Sequence, residues 1–70
     1  MVRNRQIQSY PVFTPPSKVN RICGISRSTA LRLEAEGKFP QRFRLTPGGL
    51  TAWKTDDLLT WADEREKVRG

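Results

Sequence analysis

A stretch bounded by two glycines constrains the fold of this chain most, because it predicts a helix with both ends defined. Residues 24–37 read Gly-Ile-Ser-Arg-Ser-Thr-Ala-Leu-Arg-Leu-Glu-Ala-Glu-Gly. Ser26 can accept a backbone N–H from the first turn, and Gly37 can adopt the left-handed conformation that closes a helix. We therefore predict a helix over residues 27–36, about three turns long.

This predicted helix has two unlike faces. At about 100° per residue, Ala30 and Leu33 fall on one side. The other side is small, polar and cationic, and it carries Arg27, Ser28, Leu31, Arg32 and Ala35. Such a face suits a DNA major groove, where guanidinium groups bind guanine edges or phosphates and short apolar groups contact thymine methyls. A solvated surface helix is the alternative interpretation of these residues taken alone.

The segment before Gly24 predicts a short first helix. Thr14 can cap it, Pro15 suits its first position because the missing N–H costs nothing there, and the pattern ends at about Cys23. Gly24 allows a sharp turn, and Ile25 should point inward to fix the entry angle of the next helix. The predicted order is helix, tight turn, helix.

Two apolar residues three positions apart give the first helix a packing face. Val19 and Ile22 should pack on the apolar side of the second helix. Lys18 and Arg21 would then lie outside, where they can contact phosphates.

A β-hairpin is predicted after the second helix. Residues 42–45 alternate with period two, so Phe43 and Leu45 are expected to face the core. Arg42 and Arg44 are expected on the solvent face. The Thr-Pro-Gly-Gly sequence that follows is a strong turn signal, and the return strand comes directly after it.

The start of the chain contributes one apolar segment after a polar one. Residues 10–13 should be extended, with Phe13 anchored in the core. Residues 1–9 are polar and basic, and we interpret them as a flexible arm. Arg3 and Arg5 could reach DNA from it, although an ordinary terminus explains the same composition.

The last predicted helix covers residues 54–68, with Thr55 as its N-cap. Asp56 and Asp57 lie in its first turn, where the helix dipole favours acids. Its packing stripe consists of Leu58, Trp61, Ala62 and Arg65. We interpret Trp61 as a packing residue, since its place on the stripe explains it fully.

The charge is unevenly distributed along the chain. The net charge is +6, with ten Lys or Arg and two acids in residues 1–54 against three and five in residues 55–70. A basic body suits a polyanion, and an acidic last helix suits water or a neighbouring protein. An anionic membrane would require a basic amphipathic helix with bulky apolar residues, and the sequence has none.

The residue inventory favours a binding protein over an enzyme. The chain has no His and one Cys, so it offers no internal disulfide and no expected metal site or cofactor site. We interpret Cys23 as a small buried hydrophobe, because no His is present as a base for it. With no apolar run of signal-peptide or membrane-span length, we expect a cytoplasmic, nucleoid-associated protein.

The chain resembles the AlpA family of prophage regulators and, more broadly, excisionase and MerR-type proteins. The residues that carry the resemblance are Val19 with Ile22, residues 24–29, Arg32 with Leu33, residues 36–40, Arg44 with Leu45, Ala52 with Trp53, and Leu58 with Trp61. The resemblance implies a mostly α fold with a small β-hairpin, a winged helix-turn-helix over residues 10–70. It also implies a sequence-specific duplex DNA-binding protein that acts as a transcriptional regulator, an excisionase or both.

One departure from the family concerns the tip of the hairpin. The family usually has a basic pair there, whereas this chain has Pro-Gly-Gly-Leu at residues 47–50. The hairpin would therefore contact DNA through its backbone amides, a threonine and the arginines of its strand. The predicted DNA contacts are Arg27, Ser28, Thr29, Leu31, Arg32, Lys18, Arg21, Arg42, Arg44, Thr46, Gly48 and Gly49.

Two other functions are compatible with this sequence. The chain could instead be an adaptor that docks on integrase or RNA polymerase, or the DNA-recognition domain of a phage packaging subunit. No heptad run after Trp61 is long enough for a coiled coil. We therefore expect a monomer in free solution that assembles cooperatively, head to tail, on DNA.

Overall fold

Three helices, a short 3-10 turn and a three-stranded antiparallel sheet form residues 10–68, the part of the chain that this computed structural model describes. In chain order these are β1 (Phe13–Thr14), the 3-10 turn (Pro16–Lys18), α1 (Val19–Cys23), α2 (Arg27–Ala35), β2 (Phe43–Arg44), β3 (Thr51–Lys54) and α3 (Thr55–Asp63). The fold is mixed, since 44% of these residues are helical, and the description "mostly α" is corrected accordingly. The predicted arm with Arg3 and Arg5 lies outside the described residues.

The predicted limits of α2 are confirmed to within one residue. Ser26 Oγ accepts the N–H of Thr29 at 3.2 Å. At the other end Gly37 has φ of 76°, and its N–H donates to Glu34 O at 3.0 Å. The N–H of Lys38 reaches back to Leu33 O at 2.8 Å. These two bonds form a Schellman motif, so both ends of α2 are satisfied locally.

The predicted caps of the other two helices are wrong. Thr14 lies in β1, and its hydroxyl is 2.7 Å from the hydroxyl of Thr55 in a buried hydrogen bond. Each threonine therefore joins β1 to α3 instead of capping a helix. The segment after Thr14 forms the 3-10 turn and then α1, whose N-cap Lys18 makes no side-chain cap. Gly24, with φ of 80°, ends α1 as predicted.

The sheet has one strand more than the predicted hairpin. Its order is β1-β3-β2, because the extended segment at the start of the described chain pairs with β3. The paired residues are Phe13 with Lys54, Thr14 with Trp53, Phe43 with Ala52, and Arg44 with Thr51. Thus β3 is the central strand.

The predicted core face of β2 is wrong, because Phe43 is 45% exposed and Leu45 is 38% exposed. Arg42 and Arg44 are exposed as predicted. The guanidinium carbon of Arg42 nevertheless lies 5.9 Å from the centroid of the Trp53 ring. Phe13 is only half-buried, and its ring packs edge-on against Phe43 at 5.8 Å. The buried aromatic of the sheet is Trp53 on β3.

The core combines residues from each helix and from the central strand. Its buried members are Val19, Ala30, Phe39, Trp53 and Leu58, and its half-buried flank is Ile22, Cys23, Ile25, Leu31, Leu33 and Trp61. The predicted contact between the apolar faces of α1 and α2 is confirmed. The inward orientation of Ile25 is confirmed as well.

Two tryptophans hold the segment that follows α2. Phe39 packs edge-on against Trp53 at 5.3 Å and against Trp61 at 4.8 Å between ring centroids. The indole N–H of Trp53 donates to Pro40 O at 2.8 Å, and that of Trp61 donates to Lys38 O at 3.1 Å. Both indoles thus combine apolar packing with a satisfied donor.

The last helix is shorter than the predicted 54–68. It ends at Asp63, and the chain beyond it is irregular up to residue 68. Arg65 therefore lies outside the helix, where its Nε–H donates to Trp61 O at 3.0 Å. No helix within residues 10–68 combines the length and apolar character required to cross a membrane.

Burial predicts unequal roles for the two tryptophans. Trp53→Ala should lower the free energy of unfolding by about 3 to 5 kcal/mol, because Trp53 is fully buried. Trp61→Ala should cost less, because Trp61 is only half-buried. Leu50→Ala, at a side chain 58% exposed, is the control and should change stability by less than about 0.5 kcal/mol. Urea unfolding followed by circular dichroism measures all three, and equal losses at both tryptophans would contradict this ranking.

Candidate nucleic-acid interface

Helix α2 is held against the rest of the molecule along one side only. Ala30 and Glu34 are buried, while Leu33 is half-buried against the core. Arg27, Ser28 and Arg32 are exposed on the other side. The structure therefore gives α2 a polar, cationic outward face, formed by side chains from its first two turns.

The two arginines of this outward face differ in their surroundings. Among the ion pairs found within residues 10–68, none involves Arg27. Arg32 Nη1 lies 3.8 Å from Glu36 Oε2, and the Arg32 side chain remains 61% exposed. An exposed ion pair of this kind contributes little to stability, so a phosphate or a guanine edge could replace Glu36 as the partner of Arg32.

Two predicted contact residues lie at the edge of the outward face. Thr29 is half-buried, and its hydroxyl is 3.0 Å from Ser26 Oγ, so it takes part in the helix cap. Leu31 packs in part against the core. Its predicted position entirely on the outward face is therefore corrected to a boundary position.

Arg42 is held in place by a buried carboxylate. Its Nη2 is 3.1 Å from Glu34 Oε1, its Nε lies 3.1 and 3.2 Å from the two carboxylate oxygens, and its backbone N–H donates to Oε2 at 2.7 Å. Its Nη1 also donates to Thr51 Oγ1 at 3.3 Å. Arg42 is exposed as predicted, but these bonds tie it to α2 at the residue that precedes β2.

Glu34 is the residue of this site that sequence reasoning missed. It resembles the solvated acids around it, yet it is only 9% exposed. One sequence signal could have revealed it, because Glu34 follows the buried Ala30 by four residues and so shares its helix face. A charge there requires a partner, and an arginine eight residues later supplies one.

The tip of the hairpin is a closed turn. The N–H of Gly49 donates to Thr46 O at 3.1 Å, and the N–H of Leu50 donates to Thr46 Oγ1 at 3.2 Å. Gly49 has φ of 103°, a conformation that favours glycine. Thr46 and Gly49 thus maintain the turn, while Gly48 and Arg44 are exposed beside it.

The remaining predicted contacts lie on elements adjacent to α2. Lys18 and Arg21 are exposed, on the 3-10 turn and on α1, and both elements pack against α2. Residues 10–54 contain eight bases and two acids, and one of those acids is the buried Glu34. The exposed surface of this part is therefore strongly basic, as a polyanion site requires.

The thiol of Cys23 contributes to packing. Burial raises the pKa of Cys23, and Sγ lies 3.8 Å from Leu58 O in α3. A raised pKa disfavours the reactive thiolate. No group of three or more His, Cys, Asp or Glu is placed to hold a metal ion within residues 10–68.

Comparison with known proteins identifies a family. A family model described as prophage CP4-57 regulatory protein (AlpA) matches residues 16–66. The chain belongs to this AlpA family. The matched region begins at the 3-10 turn and extends just past α3, so it includes α2, the hairpin and the Glu34–Arg42 pair. No curated protein and no solved structure matches the chain.

The Glu34–Arg42 pair predicts a difference between the two arginines near β2. Arg42→Ala should lower the free energy of unfolding by about 1 to 3 kcal/mol, because it leaves the buried Glu34 carboxylate without its charged partner. Arg44→Ala removes the same charge from an exposed position and should cost less than about 0.5 kcal/mol. Urea unfolding at neutral pH compares them, and equal stability of the two variants would mean that the pair contributes nothing to folding.

Proposed function

We propose that this AlpA-family chain binds duplex DNA in a sequence-specific manner through a winged helix-turn-helix. Helix α2 is the recognition helix and the β2–β3 hairpin is the wing. The observation that carries the proposal is the outward face of α2, where Arg27, Ser28 and Arg32 are exposed on a helix whose ends and inner face are fixed. A rigid helix with such a face can enter a major groove without first becoming ordered.

The link between α1 and α2 supports the helix-turn-helix assignment. Three residues connect the helices, Gly24 takes a left-handed conformation, and Ile25 packs against the core. In a helix-turn-helix, the second helix lies in the groove with its N-terminal residues near the bases. Arg27 and Ser28 occupy that part of α2.

The other contacts follow from where the side chains lie. Lys18 and Arg21 would bind phosphates beside the groove, and Arg44 and the tip at Gly48 would meet the backbone from the wing. Leu31 keeps enough exposure for an apolar contact with a thymine methyl. Thr29, Arg42, Thr46 and Gly49 serve mainly to position these elements.

The biological role we propose is that of a phage-type regulator. The family match supports regulation, and a small basic DNA-binding protein can act at a promoter, at a recombination site or at both. Footprinting on the DNA that flanks the gene tests this proposal. Protection beside an attachment site would assign the excisionase role, and protection over a promoter alone would assign transcriptional control. In either role we propose that the protein acts on DNA in the cytoplasm, at the nucleoid.

The recognition helix generates a direct test. Arg27→Ala and Arg32→Ala should each weaken binding to the footprinted site by about 1 to 3 kcal/mol while leaving the thermal unfolding curve unchanged. Arg44→Ala is a matched control from the wing, and it should weaken specific and random DNA about equally. Fluorescence anisotropy on both DNAs measures the difference.

Two outcomes would contradict this assignment. If both α2 variants bound the footprinted site as well as the wild type, α2 would not be the recognition helix. If they lost affinity equally for specific and random DNA, Arg27 and Arg32 would contact phosphates and carry no sequence readout.

We further propose that the protein is a monomer in free solution and binds adjacent DNA sites head to tail. One short recognition helix gives modest affinity for a single site, so occupancy would depend on neighbouring copies. The acidic α3 of one copy and the basic wing of the next would form a repeating, non-closing contact. Sedimentation without DNA should show a monomer, and gel shifts on one, two and three direct repeats should show rising affinity per site. A stable dimer in solution, or a preference for inverted repeats, would exclude this arrangement.

A further inference from the structure

An open groove of about 620 Å³ lies between the segment after α2 and one side of α3. Its floor is aromatic and its α3 wall is acidic. The floor consists of Phe39, Phe43 and Trp61, and the wall carries Asp57, Thr60 and Glu64. The groove begins at Gly37, just past the C-terminal end of α2, and the nearest proposed DNA contact on that helix is Arg32, about 8 Å away along the helix axis.

Two aromatic side chains of the floor are partly exposed to solvent. Phe43 is 45% exposed, and Trp61 is half-buried although its indole N–H is satisfied by Lys38 O. Phe39 beneath them is buried and fixed between two tryptophans. The floor is therefore already formed, and a side chain could bind there without rearranging Phe39.

Two acids and two bases line the groove. Asp57 in α3 and Glu64, which directly follows the end of α3, are seven residues apart and so lie on the same side of the helix axis. Neither takes part in the ion pairs found within residues 10–68. Lys38 lines the opposite side, but its Nζ lies 3.8 Å from Glu36 Oε1. Lys38 is paired with Glu36 and Arg65 is held on Trp61, so the carboxylates of Asp57 and Glu64 are the charges that can attract a further cation.

The chain itself shows which cation the floor accepts. The guanidinium carbon of Arg65 lies 4.3 Å from the centroid of the Trp61 ring, over its face. Arg65 follows the end of α3 and is exposed, and its Nε–H also donates to Trp61 O at 3.0 Å. Both contacts are exposed to water and therefore weak, so another guanidinium can replace that of Arg65.

From these observations we infer that the groove binds an arginine-bearing segment of another protein. The arginine of that segment takes the place of Arg65 over Trp61 and forms an ion pair with Asp57 or Glu64. A neighbouring large apolar residue packs between Phe39 and Phe43. Because the groove and the outward face of α2 share no residue, the inference stands independently of the proposed DNA binding.

The test uses the full chain, labelled with ¹⁵N, and the peptide acetyl-Gly-Ser-Arg-Leu-Arg-Ser-Gly-amide as probe. NMR titration should shift the indole N–H of Trp61 and the α3 amides while leaving the indole of Trp53 unchanged. Replacing both peptide arginines with lysine should weaken binding, because an ammonium stacks less well on an aromatic face. Replacing both with alanine should abolish it.

Matched variants separate the groove from net charge. D57N/E64Q should lower the affinity for the peptide by about threefold to tenfold. D56N/D63N removes the same charge from exposed positions on the same helix, outside the groove, and should change the affinity less than twofold, by about the measurement error. R65A should raise the affinity by about twofold to fivefold, because it removes the internal competitor.

Three results would overturn the inference. If both double variants lost peptide affinity equally, the binding would depend on net charge and not on the groove. Weaker peptide binding by R65A would show that Arg65 is not a competitor. Self-association of the wild type in sedimentation that D57N/E64Q abolishes would make a second copy of the chain the occupant.

Discussion

Trp53 is the side chain on which the rest of the structure depends. It is fully buried on the central strand, its indole N–H is donated to Pro40 O, and its ring contacts Phe39 at one edge and Arg42 over one face. One residue thus joins the sheet, the segment after α2 and the inner side of β2. In a domain this small, with few buried residues, such a shared contact has no substitute.

The Glu34–Arg42 pair adds a polar connection next to this aromatic one. A buried carboxylate costs desolvation energy, and here two arginine N–H groups and a backbone N–H offset that cost. The pair fixes β2 relative to α2, so that the proposed recognition helix and wing keep one geometry. Arg42, which the alternation pattern assigned to solvent, is therefore also tied to α2.

The charge of the described residues differs between the two parts of the chain. The bases on α1, α2 and the hairpin form a surface suited to phosphates, while residues 55–68 contain five acids and two bases. Asp57 and Glu64 flank the aromatic groove, and the outward face of α2 carries none of the groove residues. Binding of nucleic acid at one surface and of a protein segment at the other would not compete through shared residues.

The sequence alone determined those features that depend on contacts between near neighbours. The limits of α2, the turn at Gly24 and the closed hairpin tip could all be predicted, because each is held by hydrogen bonds within five residues, and the motif within α2 also indicated the family. Tertiary structure decided the third strand, the buried state of Glu34 and the exposure of Phe43 and Leu45. Thr14 and Thr55 illustrate the reason: both are good caps locally, but a bond between residues 41 positions apart takes their hydroxyls. Alternation assigned Phe43 and Leu45 to the core, but the buried aromatic is Trp53 on the neighbouring strand, and burial depends on such contacts between strands, which alternation does not reveal.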